Sequence, residues 1–265
     1  MATVKNIYQY LDSIAPFALQ MDFDNSGFLV GRGDRQVNRI LVALDITQTV
    51  IDEAKQKNCQ LIVSHHPVIF TPAKSVTDGD LNGQLLLDLV ENGISAICAH
   101  TNLDAVAGGV NDCLAQTLAL TQIEQLHQDG VDRSGAPYGI GRVGLAHTQG
   151  IGAAEYAEYV KEKLGTSSVR YADGGKPVSK VAVGGGSCGS MLLDALDAGC
   201  DTFVTSDVKY NQYLEARAMG ITLMDAGHYA TENVVCAPLA DRLSRAFPEI
   251  EVLLSYEHQE VYGNV

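Results

Sequence analysis

The sequence predicts an α/β protein made of two similar lobes, each with a mostly parallel or mixed sheet. Three observations carry that expectation. Strand-like and helix-like patterns alternate along most of the chain, the same order returns far downstream, and the two stretches align without gaps. Alternation of apolar β-prone runs with helix-period segments is what parallel α/β architecture requires.

Taken in order, MATVKNIYQYLDSIAP sets Val4, Ile7, Tyr8 and Leu11 on one face and reads as an amphipathic helix. It lacks the basic region and apolar core of a secretion signal. Asp24-Asn25-Ser26-Gly27 reads as a structural turn leading into a strand at Phe28-Leu29-Val30. A strand at 39–44, a helix at 47–58 and a strand at 60–64 follow. Then come a helix at 82–92, a strand at 94–99 and a helix at 108–118. Residues 127–179 form a Gly-rich bridge with its own helix (AAEYAEYVKEKLG) and strand (SSVRYA). Downstream the order recurs as a strand at 180–184, a helix at 190–199 and a strand at 201–206. A helix at 211–220, a strand at 221–226 and a last helix at 231–247 complete it.

A shift of 141 positions lays Ile40 on Val181, Ala54 on Ala195, Cys59 on Cys200 and His66 on Asp207. A shift of 127 lays Gly93-Ile94 on Gly220-Ile221. Any two βαβ units share apolar strands, but the preserved strand–helix–strand lengths favour internal duplication. The expected division is a first lobe over 1–126 and a bridge plus second lobe over 127–265.

Composition narrows the function. At 265 residues, 46% hydrophobic and 19% charged, the chain can bury a real core. Its apolar runs fall short of the roughly 20 residues of a membrane span, so no membrane partner is expected. The six cysteines have no CxxC spacing and read as small buried hydrophobes in a reducing, cytoplasmic setting. A net charge of −14 weighs against nucleic-acid binding, including a ring that encircles DNA.

In parallel α/β sheets the carboxyl ends of the strands face the functional crevice. Three polar clusters fall at such ends: His65-His66, the run from His100 to Asp104, and Gly227-His228 with Glu232 four residues on. Two adjacent histidines alone have three readings: an exposed pair, an acid/base, or part of a metal site. The HYATE spacing alone is equally weak. Converging from three strand ends, the clusters favour a metal site in the cleft between the lobes. Five side chains, His65, His66, Asp104, His228 and Glu232, exceed the needs of a single catalytic zinc and fit two divalent ions. The expected nucleophile is then a metal-bound water rather than any side chain. With no thiolate in the set, zinc, iron, manganese, nickel and cobalt all suit it. His100 either orients Asp104 or is a satisfied histidine at a strand end.

Gly184-Gly185-Gly186-Ser187-Cys188-Gly189 formally matches GxGxxG, with Asp207 near the end of the next strand. The equivalent turn of the first half is Asp45-Ile46-Thr47, so the loop is not essential to the repeated unit. Gly185 and Gly186 touching a phosphate-bearing substrate is a better reading than dinucleotide binding. Asp207 and Lys209 follow a strand end and are candidates to line the same crevice, Lys209 for an anionic substrate.

SHHP, AHTNLDAVAGGVND, the Gly-rich turn, TSDVKY and DAGHYATE occur in that order. Together they resemble the Nif-three-like dinuclear metal-centre family, the GTP cyclohydrolase I type 2 homologues. The resemblance covers nearly the whole chain. It implies two α/β lobes with a di-metal site between them and assembly into a toroidal homohexamer. The ligands it implies fall on the same five residues. Phe23 stands where a tryptophan is frequent, Ser206 where Gly often precedes the aspartate, and Asn211 where a histidine is frequent. The function expected is a metal-dependent hydrolase, acting on GTP, a related nucleotide or a cyclic amide. The alternative is a non-catalytic metal-binding regulatory or scaffold ring.

Overall fold

The computed structural model describes residues 2–132 and 135–265. In chain order it runs α1 (Val4–Ile14), β1 (Gly27–Val30), β2 (Arg39–Ala43), α2 (Gln48–Gln56), β3 (Leu61–Ser64), α3 (Leu81–Glu91) and β4 (Ser95–Cys98). Next are α4 (Thr101–Ala105), α5 (Val110–Thr117), β5 (Thr121–Gln125), the small pair β6 (Gly130–Val131) and β7 (Pro137–Tyr138), and β8 (Arg142–Leu145). Then follow α6 (Ala153–Leu164), β9 (Arg170–Ala172), β10 (Lys180–Val183), α7 (Leu192–Asp197), β11 (Thr202–Thr205), α8 (Tyr210–Met219) and β12 (Thr222–Asp225). The chain closes with α9 (His228–Glu232), α10 (Cys236–Ala246) and β13 (Glu251–Leu254).

The chain forms two compact units, residues 1–103 with 236–259 and residues 104–235 with 260–265. This is not a single cut after residue 126. Residues 104–126 fall in the second unit and 236–259 in the first, because β13 pairs in parallel with β2. The helix expected over 231–247 is likewise broken. Asn233–Val235 make a 3₁₀ turn between α9 and α10. Pro238 explains the break, since it has no N–H to give the carbonyl four residues back and is tolerated only in a helix's first turn.

In the first unit the sheet order is β1-β4-β3-β2-β13, with β1 antiparallel to β4 and the other pairs parallel. Helix α1 starts on a capping box at Thr3 and Asn6 and buries Val4, Ile7 and Leu11. Tyr8, on the same face, stacks on Phe17 at 4.7 Å. Thr47 and Asp80 cap α2 and α3. Val50, Ile51 and Ala54 of α2 and Leu85, Leu86 and Leu89 of α3 pack with Leu41, Ile62 and Ala96 of the sheet.

In the second unit the order is β5-β8-β10-β11-β12-β9. Successive strand residues face opposite sides, so one face buries Val181, Val183, Val204 and Met224 against Leu114, Tyr156 and Val160. The other buries Ala182, Phe203 and Leu223 against Leu192, Ala195 and Ala216. Strands β5 and β8 carry no long apolar run, and the sequence pattern predicts neither. The helix expected at 190–199 is only α7, entered through a 3₁₀ turn at Gly189–Met191.

The repeat is a matter of register as well as order. Ile40 pairs with Leu61 as Val181 pairs with Thr202, each 141 residues on. Ser64 pairs with Cys98 as Thr205 pairs with Asp225. The antiparallel edge strand recurs too, β1 on β4 and β9 on β12. Duplication is a plausible origin of this match. Five of the six cysteines are buried and Cys188 partly so, with no disulfide among the described residues. Burial pushes the Cys59 and Cys200 thiols up to about 11. No helix among the described residues is long and apolar enough to cross a membrane.

Candidate metal centre

In the first unit, β3 is buried along its whole length and ends directly on His65 and His66. The backbone N–H groups of both donate to the Leu44 carbonyl at the end of β2, at 3.1 and 2.8 Å, which fixes the direction of each side chain. His100 follows β4. One nitrogen from each of these three rings lies within 4.8 Å of the other two. Such a group of donors can hold a metal ion.

What each ring presents is set by its other nitrogen. His65 Nδ1 lies 2.8 Å from the Ala99 carbonyl. A carbonyl only accepts, so Nδ1 carries the proton and Nε2 carries the lone pair. His66 Nδ1 lies 2.8 Å from Asp45 Oδ1, and His100 Nδ1 lies 2.8 Å from Asp24 Oδ1. Burial raises the Asp45 carboxyl, but hydrogen bonds from His258 and His66 outweigh it and hold the group well below the usual carboxylate range. Asp24 is lowered in the same way: burial opposes, and bonds from His100, Thr101 and Ser26 prevail. Both carboxylates are therefore ionised acceptors, and both rings turn Nε2 outward as the donor atom. Imidazole backed by carboxylate or carbonyl is the arrangement metal-ligating histidines adopt.

In the second unit, α9 begins on Gly227, and its four-residue spacing brings His228 Nε2 to 2.9 Å from Glu232 Oε2. His228 Nδ1 is 2.6 Å from Asp207 Oδ2. Asp207 sits in the left-handed region at φ 51°, a conformation a short Asp side chain tolerates better than most. Glu232 and Asp104 are buried, at 3% and 8% exposure. A buried carboxylate with an imidazole at its side, as Glu232 has in His228, suits a cation, because a charge taken out of water must be compensated.

Residues 2–260 match the family model described as Duf34/NIF3 (NGG1p interacting factor 3). The chain belongs to this family. A GTP cyclohydrolase 1 type 2 homolog of Clostridium perfringens is 32% identical over 261 residues, 98% of each chain. Another of that description, from Clostridium acetobutylicum, is 35% identical over 250 residues, 94% of this chain and 92% of the relative. The crystal structure of a Bacillus cereus protein related to NIF3 superposes with a TM-score of 0.94. It is 22% identical and covers 100% of this chain and 99% of its own, a likeness of fold alone.

Within this NIF3 fold, His65, His66 and His100 come together in one unit, as do His228, Glu232 and Asp207 in the other. His100 follows the strand end with its ring Nδ1 held by Asp24. Lys209 lies exposed at the start of α8, its amide bonded to Gln212. Gly185 and Gly186 donate their amides inside the protein, to Asn111 Oδ1 and Thr231 Oγ1.

Sequence reasoning missed three residues. Asp24 looked like an ordinary turn residue, yet it also accepts from Thr101 and Ser26. Asp45 looked like part of a connecting turn. His258 gave no signal, but its Nε2 lies 2.8 Å from Asp45 Oδ2, making a His258–Asp45–His66 chain. The gap-free alignment marks the Asp45 position but says nothing of its bond to His66.

Proposed function

We propose that this chain is a metal-dependent hydrolase with a dinuclear centre held by His65, His66, Asp104, His228 and Glu232. Its activity would resemble that named for its relatives, on a nucleotide or related cyclic amide. The observation that carries the reading is the backing of the imidazoles, His66 and His228 by carboxylates and His65 by a carbonyl. Divalent ions held by these residues would supply Lewis acidity for activating water. The protein's part is to hold three imidazoles as neutral Nε2 donors and to keep two carboxylates buried and ionised. His100, backed by Asp24, is a further donor or a hydrogen-bonding group for substrate.

A flat ring substrate fits the surface beside the first unit's histidines. Phe70 stands edge-on to His100 with ring centroids 6.2 Å apart, and Phe23 tilts against Phe70 at 6.4 Å. Both phenyls are exposed, at 49% and 63%, and open aromatic faces stack heteroaromatic bases. We also place the protein in the cytoplasm and propose self-assembly into a hexameric ring. Exposed Tyr210 and Leu214 on α8, with Leu193 on α7, offer apolar surface for that assembly.

Elemental analysis of the purified protein should find about two divalent ions per chain. His65→Ala and Glu232→Ala should each lose metal, and with it hydrolysis in a screen of nucleotides and cyclic amides. Full metal occupancy in both variants would overturn the ligand assignment. Full occupancy in the parent protein without turnover of any substrate class would favour the scaffold reading. Light scattering reads the assembly.

A further inference from the structure

The Gly-rich turn after β10 has the outline of a phosphate cradle, but four of its amide donors are spent inside the protein. Gly184 N–H donates to the Val204 carbonyl at 3.0 Å, and Cys188 N–H to the Gly186 carbonyl at 2.9 Å. Gly185 N–H donates to Asn111 Oδ1 at 2.9 Å and Gly186 N–H to Thr231 Oγ1 at 3.0 Å. Asn111 and Thr231 are fully buried. Each also grips a ligand-bearing segment. Asn111 Nδ2 donates to the Asp104 carbonyl at 3.0 Å. The Thr231 hydroxyl shares its one proton between the carbonyls of Gly227 and His228, at 2.9 and 3.0 Å, at the start of α9.

The glycines are required by what lies against them. Gly186 has φ +65°, and a Cβ there would collide with Glu232 Oε1 and come within 3.4 Å of His228 Nε2. A Cβ on Gly185 would lie 2.8 Å from Val110 Cγ1 and 3.3 Å from the Thr231 carbonyl. The turn thus lies directly against the carboxylate it supports.

We infer that Asn111, Thr231 and the Gly185-Gly186 backbone form a strap that sets Asp104 relative to His228 and Glu232. They are positioning residues. The inference rests on the reading of those three side chains as ligands. It assigns the glycine motif to the geometry of the centre and removes it from the phosphate-binding candidates. Outer partners of metal ligands commonly govern about 10- to 100-fold of metal affinity, so the strap has a measurable consequence.

The test is a cobalt(II) titration of the full-length, metal-stripped protein, followed by visible absorption. Thr231→Val removes the hydroxyl at nearly constant shape, while Thr231→Ser keeps it. The valine variant should bind cobalt about tenfold more weakly or worse, with an altered ligand-field spectrum. The serine variant should stay within about twofold of the parent, since it keeps the hydrogen bond. Metal-free melting of Thr231→Val should fall below the parent's, because the buried Gly186 amide loses its acceptor, while Thr231→Ser should melt with the parent. Parental affinity and spectrum in Thr231→Val would overturn the strap. So would a loss of affinity matched by a fall in metal-free melting that Thr231→Ser shares. Amide exchange in the metal-free parent gives a check that needs no variant: Gly185 and Gly186 should be protected, and fast exchange at both would overturn the strap. A parent protein that binds no cobalt overturns the metal reading and this inference together. A parent that binds cobalt beside an unaffected Thr231→Val overturns the strap alone.

Discussion

The turn after β2 in the first unit and the turn after β10 in the second occupy the same place in the repeat. Position 45 in one corresponds to position 186 in the other, a shift of 141. In the first unit it is Asp45, whose carboxylate holds His66 at the end of β3. In the second it is Gly186, stripped of a side chain because Glu232 fills that space. The backing carboxylate there has moved one strand along: Asp207, counterpart of His66, holds His228 beyond β12. The same topology thus yields two imidazole–carboxylate pairs offset by one strand. The lesson is that a repeated fold conserves places for side chains rather than their roles. Swapping Asp for Gly at one such place transfers the task to the next.

The comparison breaks first where the second unit depends on a device the first lacks. Arg142, 3% exposed, donates to Asp112, Gln125 and the carbonyls of Val106, Gly139 and Gly141. It thereby ties the segment after Asp104 to β8. Arg142→Ala leaves Asp112 without its cation and should cost about 3–5 kcal/mol in denaturant unfolding. A loss below 1 kcal/mol would show that the segment is held some other way. The next effect tests the offset pairs directly. Asp45→Asn and Asp207→Asn should each weaken metal binding about 10- to 100-fold while leaving the fold intact. Equal losses would show the two pairs doing equivalent work. A loss in only one would sharpen the asymmetry.

The smallest effect belongs to the first unit. Glu53, 5% exposed, accepts from Lys57, Ser255 and Tyr256 and so anchors the segment leading to His258. Burial raises its carboxyl, but these bonds outweigh it, and the folded pKa lies below the ordinary value. A depressed carboxylate stabilises fully above its unfolded pKa and loses that contribution as pH falls through the folded pKa. Glu53→Gln should cost about 1–3 kcal/mol at neutral pH. The difference from the parent should shrink on acidification below pH ~4. An unchanged gap at low pH would show that the charge on Glu53 contributes nothing.

Much of the fold was readable because apolar runs with period two and 3.6 must find a sheet or a helix face to bury. Strands β2, β3, β4, β10, β11 and β12 all lie within a residue or two of where the pattern sets them. Strand β5 escaped notice because an edge position needs little apolar surface, and β8 because its four residues, Arg142 to Leu145, include a charged residue and a glycine. Strand β13 and helix α10 lie last in the chain yet pack with the first unit, and local pattern carries no information about such a return. Similarly, Pro238 was visible in the sequence, but the unit that its helix joins was not.

By itself the sequence determined the repeat, the strand ends and the histidines and carboxylates placed there. Those follow from periodicity and from the rule that parallel strands present their carboxyl ends to a common edge. Only the tertiary structure decided what each imidazole donates. That depends on which acceptor meets Nδ1, and the acceptors come from distant positions: Asp24 for His100, Asp45 for His66, Ala99 for His65 and Asp207 for His228. It likewise decided that the glycine motif supports a carboxylate. A glycine records an absence, and only the neighbour filling that space explains it.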